Sequence, residues 1–345
     1  MYAPLYELTR GEIVESGHYG ALAIVDSQGQ LIAHFADPHA LTYLRSAAKP
    51  FQALPFVEAG VPATYQLTGP EIALVCASHS GTDDHVATAC SLQAKTGVAE
   101  ADLLCGVHLP FDKATAENLH LRGEPPTPNR HNCSGKHTGM LAYARQEGWP
   151  AASYLDFTHP VQKQILQTLA EMCSLPESEI GLGIDGCSAP NFAVPLYNAA
   201  LAYARLVDPL NLSPLRAAAC ETITTAMCAH PKMVSGPGRF DTQLIAVTRG
   251  RILAKGGAEG YQGLGLRPGI LGPNKPGIGI AIKISDGDAT GRALPGVVLE
   301  ILRQLEVLSP DELKALADFG PTRPVQNWRK LQVGVARPSF QLTYS

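Results

Sequence analysis

Strand-like apolar runs gather at the two ends of this chain while its long middle reads as helix, and that order restricts the fold more than any other feature. From Tyr6 to Phe35 the sequence alternates and turns, with Asp26-Ser27-Gln28-Gly29 between two apolar runs, which reads as an antiparallel hairpin. Near the other end RILAKGG and GIGIAIKIS have strand character, a helix from Gly296 to Leu308 follows, and VQNWRKLQVGVA supplies a last strand. Between them, helices are expected over 46–59, from Thr68-Gly69-Pro70-Glu71 through IALVCAS, and over 83–95 with Gly97 as the stop. Others are expected from near Ser134, over 160–173, near 192–206 and 213–229, and over the apolar-periodic stretch Arg239 to Thr248, which ends at Gly250. Only the short GLGI run before Asp185 reads as strand there. Strictly alternating βαβ units are absent. The expected fold is therefore α/β of the α+β type, an antiparallel sheet from both chain ends flanked by helices, with a helical middle. It forms one unit over 1–345, with a sheet part of about 1–45 and 238–345 and a mainly helical part of about 46–237.

A chain of 345 residues, 45% apolar and 17% charged, can bury a large core, which excludes disorder. The net charge of −4 comes from 27 basic and 31 acidic residues without long runs, so there is no footprint for nucleic acid or an anionic membrane. A small solute is the expected partner. The N-terminal Met1-Tyr2-Ala3-Pro4-Leu5-Tyr6-Glu7 has no basic region followed by an apolar core, and no apolar stretch nears the roughly 18 residues of a membrane span, so a cytoplasmic protein is expected. Eight cysteines in unrelated contexts, with no CxxC pair, favour buried thiols over a disulfide framework. A homodimer is the default for such a chain.

Ser46-Ala47-Ala48-Lys49 sets a hydroxyl and an amine three residues apart, which on a helix makes them neighbours able to share a proton. The lysine serves as base only if burial or a second cation lowers its proton affinity, and Lys255 in Leu253-Ala254-Lys255-Gly256-Gly257 offers that cation. Alone, the motif reads more readily as a capping serine with a surface lysine. Serine hydrolases of the β-lactamase class combine SxxK with a strand-borne KTG, and KGG stands here in the corresponding relation. Gly256 and Gly257 also allow a ligand close access to backbone.

Ser78 in Cys76-Ala77-Ser78-His79-Ser80-Gly81-Thr82 is a second hydroxyl to set beside Ser46 and pair with Lys255, or the segment is simply a helix C-cap loop. His131-Asn132-Cys133-Ser134-Gly135-Lys136-His137 and Asp185-Gly186-Cys187-Ser188 both look like loop-borne site chemistry. If Cys133 and Cys187 meet beside a neutral Lys136 or a histidine they can bind zinc; the alternative is two buried thiols. Arg45 is a candidate for a substrate carboxylate and Asp185 for an ammonium group, against the alternatives of a surface salt bridge and a turn cap. His79, Asn132, Gly256 and Gly257 complete the expected substrate-binding set.

Taken together, RSAAKPFQALP, CASHSGTDDHV, HNCSGKHTGML, DGCSAPNFAVPL and KGGAEGYQGLGL resemble the L-asparaginase II family of the Rhizobium type, over about residues 6 to 340. The resemblance implies a fold similar to serine β-lactamases and glutaminases and hydrolysis of L-asparagine to L-aspartate and ammonia. It makes Ser46 with Lys49 and Ser78 with Lys255 two catalytic Ser-Lys pairs, and Cys133, Lys136 and Cys187 a zinc site near the substrate. Asp241 departs from it, standing where some relatives carry a cysteine. His79-Ser80-Gly81-Thr82-Asp83 superficially resembles the HGTD motif of another asparaginase class, but the N-terminal TGGT partner is absent. Gly81-Thr82 also resembles the self-cleavage site of the N-terminal-threonine class; both readings are rejected. The rivals are a glutaminase, a β-lactam hydrolase, and a metal- or amino-acid-binding protein without turnover.

Overall fold

The computed structural model describes residues 1–345, and the chain divides into two compact units that it crosses between repeatedly. The first comprises Met1–Thr42, Val194–Asp208 and Gln243–Ser345; the second comprises Tyr43–Ala193 and Pro209–Thr242.

The first unit is built on a nine-stranded antiparallel sheet drawn from both chain ends, as the order of apolar runs predicts. Its strands run, edge to edge, Arg323–Gln326, Gln332–Pro338, Ala3–Arg10, Ile13–Asp26, Ile278–Ile284, Tyr261–Leu266 and Ile252–Gly257. The 14-residue strand Ile13–Asp26 pairs with Ala3–Arg10 through its first half and with Leu31–Phe35 through its second, and Thr343–Tyr344 extends that branch. The turn Asp26–Gly29 closes as its composition demands: Asp26 Oδ1 accepts the backbone N–H groups of Gln28 and Gln30. Tyr261–Leu266 escapes a reading by strand propensity because it is YQGLGL. Those glycines have a packing cause. A Cβ on Gly263 would lie 2.0 Å from the Tyr203 ring, and one on Gly279 would lie 1.7 Å from the carbonyl oxygen of Ala200. Helix Leu196–Val207 thus lies directly on the sheet backbone, which is why residues 194–208 join the sheet unit rather than the helical middle where the sequence places them.

The second unit is mainly helical, and its centre is helix Ser134–Gln146, buried from Ser134 to Ala144. Such a helix must satisfy its own buried polar side chains, here Ser134, Lys136, His137 and Thr138. It packs on helix Gly69–Val75 at two glycines, where a Cβ on Gly135 would meet Leu74 O at 2.2 Å and one on Gly139 would meet Val75 Cγ1 at 2.7 Å. Helix Gly69–Val75 opens with the capping box Thr68/Glu71 and Pro70 in its first turn, and helix Asp83–Thr96 closes at Gly97 in the left-handed region. The segment expected as helix from about 192 begins instead as strand Pro190–Pro195. Within this unit its residues 190–193 pair antiparallel with Gly181–Ile184, and Pro195 caps the helix that follows.

Candidate active site

Ser46 lies in a 3₁₀ turn, Arg45–Ala48, one turn ahead of helix Lys49–Glu58 rather than at its N-cap. Pro50 in the first turn has no N–H to give, and the α-helix starts around it. Arg45 has φ 51°, a left-handed conformation that costs a non-glycine residue about 1–3 kcal/mol. Its surroundings hold it there: the Arg45 N–H donates to Asn191 Oδ1 (3.1 Å) and its Nε to Asp185 Oδ1 (2.8 Å), while Leu44 N–H donates to Phe192 O (2.9 Å). The two residues assigned to opposite ends of a substrate are thus ion-paired with each other, partly buried, which is neither a surface bridge nor a simple turn cap.

Lys49, buried, donates from Nζ to Ala77 O (2.6 Å) and Asn132 O (3.1 Å). One amine thereby joins three segments that are far apart in sequence and that the motifs singled out. Asn132 is the hub between them: its carbonyl also accepts the His79 N–H (3.3 Å), and its Nδ2 donates to Ser78 Oγ (2.8 Å).

His79 is fully buried, with Nδ1 accepting the Gly81 N–H (3.2 Å) and Nε2 facing Ser134 Oγ (2.9 Å). Because Nδ1 accepts, Nε2 carries the proton. The ring stacks on His85 (centroids 4.8 Å apart), whose Nδ1 accepts the Thr82 N–H (3.2 Å) and whose Nε2 donates to Lys232 O (2.9 Å). Thr82 is accordingly a helix N-cap. Burial above all, then neighbouring positive groups, pushes His79 well below the ordinary imidazole value; burial also lowers His85. Both rings are therefore neutral in the fold, with their basic nitrogens already accepting backbone N–H groups. An unfolded chain has ordinary imidazoles near pKa 6.5, so it gains protons first as the pH falls. Stability from these rings is present in full above that value and is lost below it, each ring adding up to about 1.4 kcal/mol per pH unit to the slope. Urea midpoints measured at pH 7.5 and 5 should fall accordingly, and His85→Phe should flatten the dependence.

Cys133, Lys136 and Cys187 do meet. Lys136 Nζ donates to Cys187 Sγ (3.1 Å), and the Cys133 side chain, which donates to Asn132 Oδ1 (3.5 Å), lies beside Cys187. The proximity of Cys187, against the effect of burial and helped by Lys49 and Lys136, holds the Cys133 thiol well below its usual range. Burial works to lower Lys136, but Cys187, Cys133 and Asp185 together raise it. Asp185 stays below the ordinary carboxylate value although burial opposes this, because Lys136 and Arg45 lie beside it. No three His, Cys, Asp or Glu side chains converge on a common point, so a metal here would rely on two sulfurs and the Lys136 amine. The two sulfurs suit zinc, and the third place would fall to the Lys136 amine, which those sulfurs and Asp185 favour in its protonated form. Asp241, in the first turn of helix Phe240–Val247, is buried.

Lys255, Gly256 and Gly257 belong to the sheet unit, at the end of strand Ile252–Gly257, where buried Lys255 donates from Nζ to Gly256 O (2.8 Å). Three residues that matter to the geometry are not among those singled out from the sequence. Asn191, inside an apolar strand, clamps Arg45. Tyr154 OH joins Leu104 N–H (2.9 Å) to His137 Nδ1 (2.6 Å). His108, in the apolar stretch Gly106-Val107-His108-Leu109-Pro110, contacts Asn132; a lone imidazole in such a loop was the available hint.

Ser46 and Lys49 thus share one buried segment, and the Lys49 amine ties that segment to the one that carries Ser78. The L-asparaginase II family model matches residues 6–338, and the chain belongs to that family. Membership implies an amidohydrolase of the asparaginase kind with a small-molecule amide substrate. No curated protein matches the chain. Among solved structures it is similar to the Bacillus subtilis glutaminase YbgJ in covalent complex with 5-oxo-L-norleucine, at 11% identity and a TM-score of 0.37, over 84% of this chain and 88% of that one. It is also similar to a Bacillus glutaminase in 4.3 M NaCl, at 13% identity and a TM-score of 0.40, over 84% and 91% of the two chains. A third is Mglu in its native form, at 14% identity and 0.43, over 85% and 63%.

Proposed function

We propose that the chain hydrolyses the side-chain amide of L-asparagine to L-aspartate and ammonia, with Ser46 as nucleophile and Lys49 as its base. The observation that carries the reading is the buried Lys49 amine three residues after Ser46, tied by two hydrogen bonds to the Ser78 and Asn132 segments. Lys49 acts as base in its neutral form, which keeps two N–H groups for the two carbonyl oxygens and leaves the position shared with the Cys133 side chain to take up the Ser46 proton. Lys49 takes the Ser46 proton as Oγ bonds to the amide carbon. The Cys133 sulfur beside it stabilises the ammonium that forms. Lys49 returns the proton to the departing nitrogen, which leaves as ammonia, and an aspartyl ester stays on Ser46. Water then adds to the ester carbonyl, its proton passing through Lys49 back to Ser46 Oγ, and aspartate is released. Backbone N–H groups near Ser46 are the proposed oxyanion donors, each worth about 2.7–4 kcal/mol in a well-studied protease; that of Gly257 rests on the resemblance alone.

The Arg45–Asp185 pair presents one cation and one anion, the complement of an amino-acid zwitterion, and is the proposed recognition element for the α-carboxylate and α-ammonium groups. The roles of Ser78 as a second hydroxyl, of Lys255 as its partner and of Gly256 rest on the resemblance alone. Zinc, if bound, is held by Cys133, Cys187 and a neutral Lys136 and supplies fixed positive charge beside the substrate. A homodimer and a cytoplasmic location complete the proposal; all eight cysteines are free, which suits a reducing compartment, and no helix is long and apolar enough to cross a membrane.

Parallel assays on asparagine, glutamine and a chromogenic β-lactam test the reading, with ammonia expected from asparagine at the highest kcat/KM. Greater activity on glutamine or the β-lactam would assign the site to the rival substrate, and thermal stabilisation by asparagine without ammonia would make the chain a binding protein. Metal content by mass spectrometry should show zinc in the wild type and not in Cys133→Ser or Cys187→Ser; equal content in all three would sink the metal assignment.

A further inference from the structure

The segment 103–112 carries apolar side chains on its outside, with Leu104, Val107, Leu109 and Phe111 between 47% and 62% exposed. It is nevertheless fixed at both ends: Leu104 N–H donates to Tyr154 OH (2.9 Å) and Asp112 N–H to Ser80 O (3.0 Å). Pro110 lies over Gly81, where a Cβ would approach the proline at 3.2 Å. One side chain of this strap, His108, reaches Asn132. Its ring stacks on Phe111 (4.6 Å, 16°) and tilts against His131 (4.4 Å). Nδ1 faces Leu109 O at 2.6 Å, and a carbonyl can only accept, so Nδ1 carries the proton. Nε2 is then a lone pair; it accepts the Asn132 N–H (3.2 Å) and lies 3.2 Å from Asn132 Oδ1. The ring therefore holds Asn132 through its main-chain N–H, while the approach to Oδ1, an acceptor facing an acceptor, adds no bond.

We infer that His108 is a positioning residue for the hydrolysis, fixing Asn132 so that its Nδ2 meets Ser78 Oγ and its carbonyl meets Lys49. The inference rests on the reading of this site as the hydrolytic centre. Asn132 holds a hydroxyl through Nδ2 at 2.8 Å and a buried amine through its carbonyl at 3.1 Å, so a shift of its peptide displaces both at once. Displacements of about 1 Å by residues away from the reacting atoms can cost about a hundredfold in rate. The effect belongs in kcat, since His108 faces the residues that hold the reacting groups.

Three variants of the full chain test it. His108→Phe keeps the ring and its stack but removes both nitrogens; His108→Gln puts a polar end where Nε2 was; His108→Asn puts one where Nδ1 was. Steady-state asparagine hydrolysis should show kcat down about tenfold or more in His108→Phe and His108→Asn, with KM changed less than about threefold and substantial recovery in His108→Gln. In an Asn132→Ala background, which keeps the main-chain N–H and carbonyl but not the contact to Ser78, His108→Phe should add a smaller loss than it causes in the wild type. Wild-type kcat in a folded His108→Phe would overturn the inference, as would equal impairment of the Gln and Asn variants or a full additional loss in the Asn132→Ala background. Should His108→Phe fail to fold, the Gln and Asn comparison decides. A wild-type chain that releases no ammonia fails earlier, at the parent reading, and takes this inference with it.

Discussion

Ser46→Ala is expected to lower kcat for asparagine by roughly 10⁴- to 10⁶-fold, the range seen when a hydrolase loses its nucleophile, while leaving the thermal midpoint close to wild type. The two effects separate because Ser46 contributes a hydroxyl to the site and little volume to the core. Lys49→Met should match that loss in turnover but cost stability as well. Its side chain is buried, and deleting the amine strands the carbonyl oxygens of Ala77 and Asn132, at about 1–3 kcal/mol for each buried acceptor left without a partner. Near-normal ammonia release from both variants would remove Ser46 and Lys49 from the mechanism. Equal stability of the two would show that the Lys49 hydrogen bonds do not hold the three segments together.

Gly135→Ala is expected to destabilise the protein by about 2 kcal/mol, against the trend of helix propensity. Alanine in place of glycine inside a helix gains up to about 1 kcal/mol. Here, however, the new Cβ would stand 2.2 Å from Leu74 O and 2.8 Å from Leu74 Cγ, and one of those neighbours is main chain that cannot rotate away. The helices must move apart, and Cys133 and Lys136 sit in the same first turn of the moving helix. A lower urea midpoint together with reduced activity is the expected result. A variant as stable as wild type would show that the contact relaxes without cost.

The sequence made the fold class legible because strand-forming runs and helix caps are local signals: the turn at Asp26, the capping box at Thr68 and the stop at Gly97 all sit where their residues demand. What it hid was set by packing. Tyr261–Leu266 gave up strand propensity to let the Tyr203 helix approach, and Pro190–Pro195 became strand through partners across the Gly181–Ile184 hairpin, under a reading that began a helix within it.

The site shows the same division. Residue types with chemistry to offer could be picked out, and Lys49, Ser78, Asn132, Cys133, Lys136 and Cys187 do come together within the helical unit. Their partnerships could not be read. Arg45 and Asp185 are 140 residues apart, and only the folded chain pairs them. His79, expected at the substrate, has both ring nitrogens occupied by Gly81 and Ser134. The strained φ at Arg45, held by Asn191, has no signature in a run as ordinary as Leu-Arg-Ser-Ala.

The claim that Ser46 attacks the amide is tested most directly by stopping turnover of asparagine with acid and mapping the modified peptide by mass spectrometry. An aspartyl ester on Ser46, absent from Ser46→Ala, is the expected result. An ester on Ser78 or Cys133, or turnover with no covalent adduct at all, would contradict it.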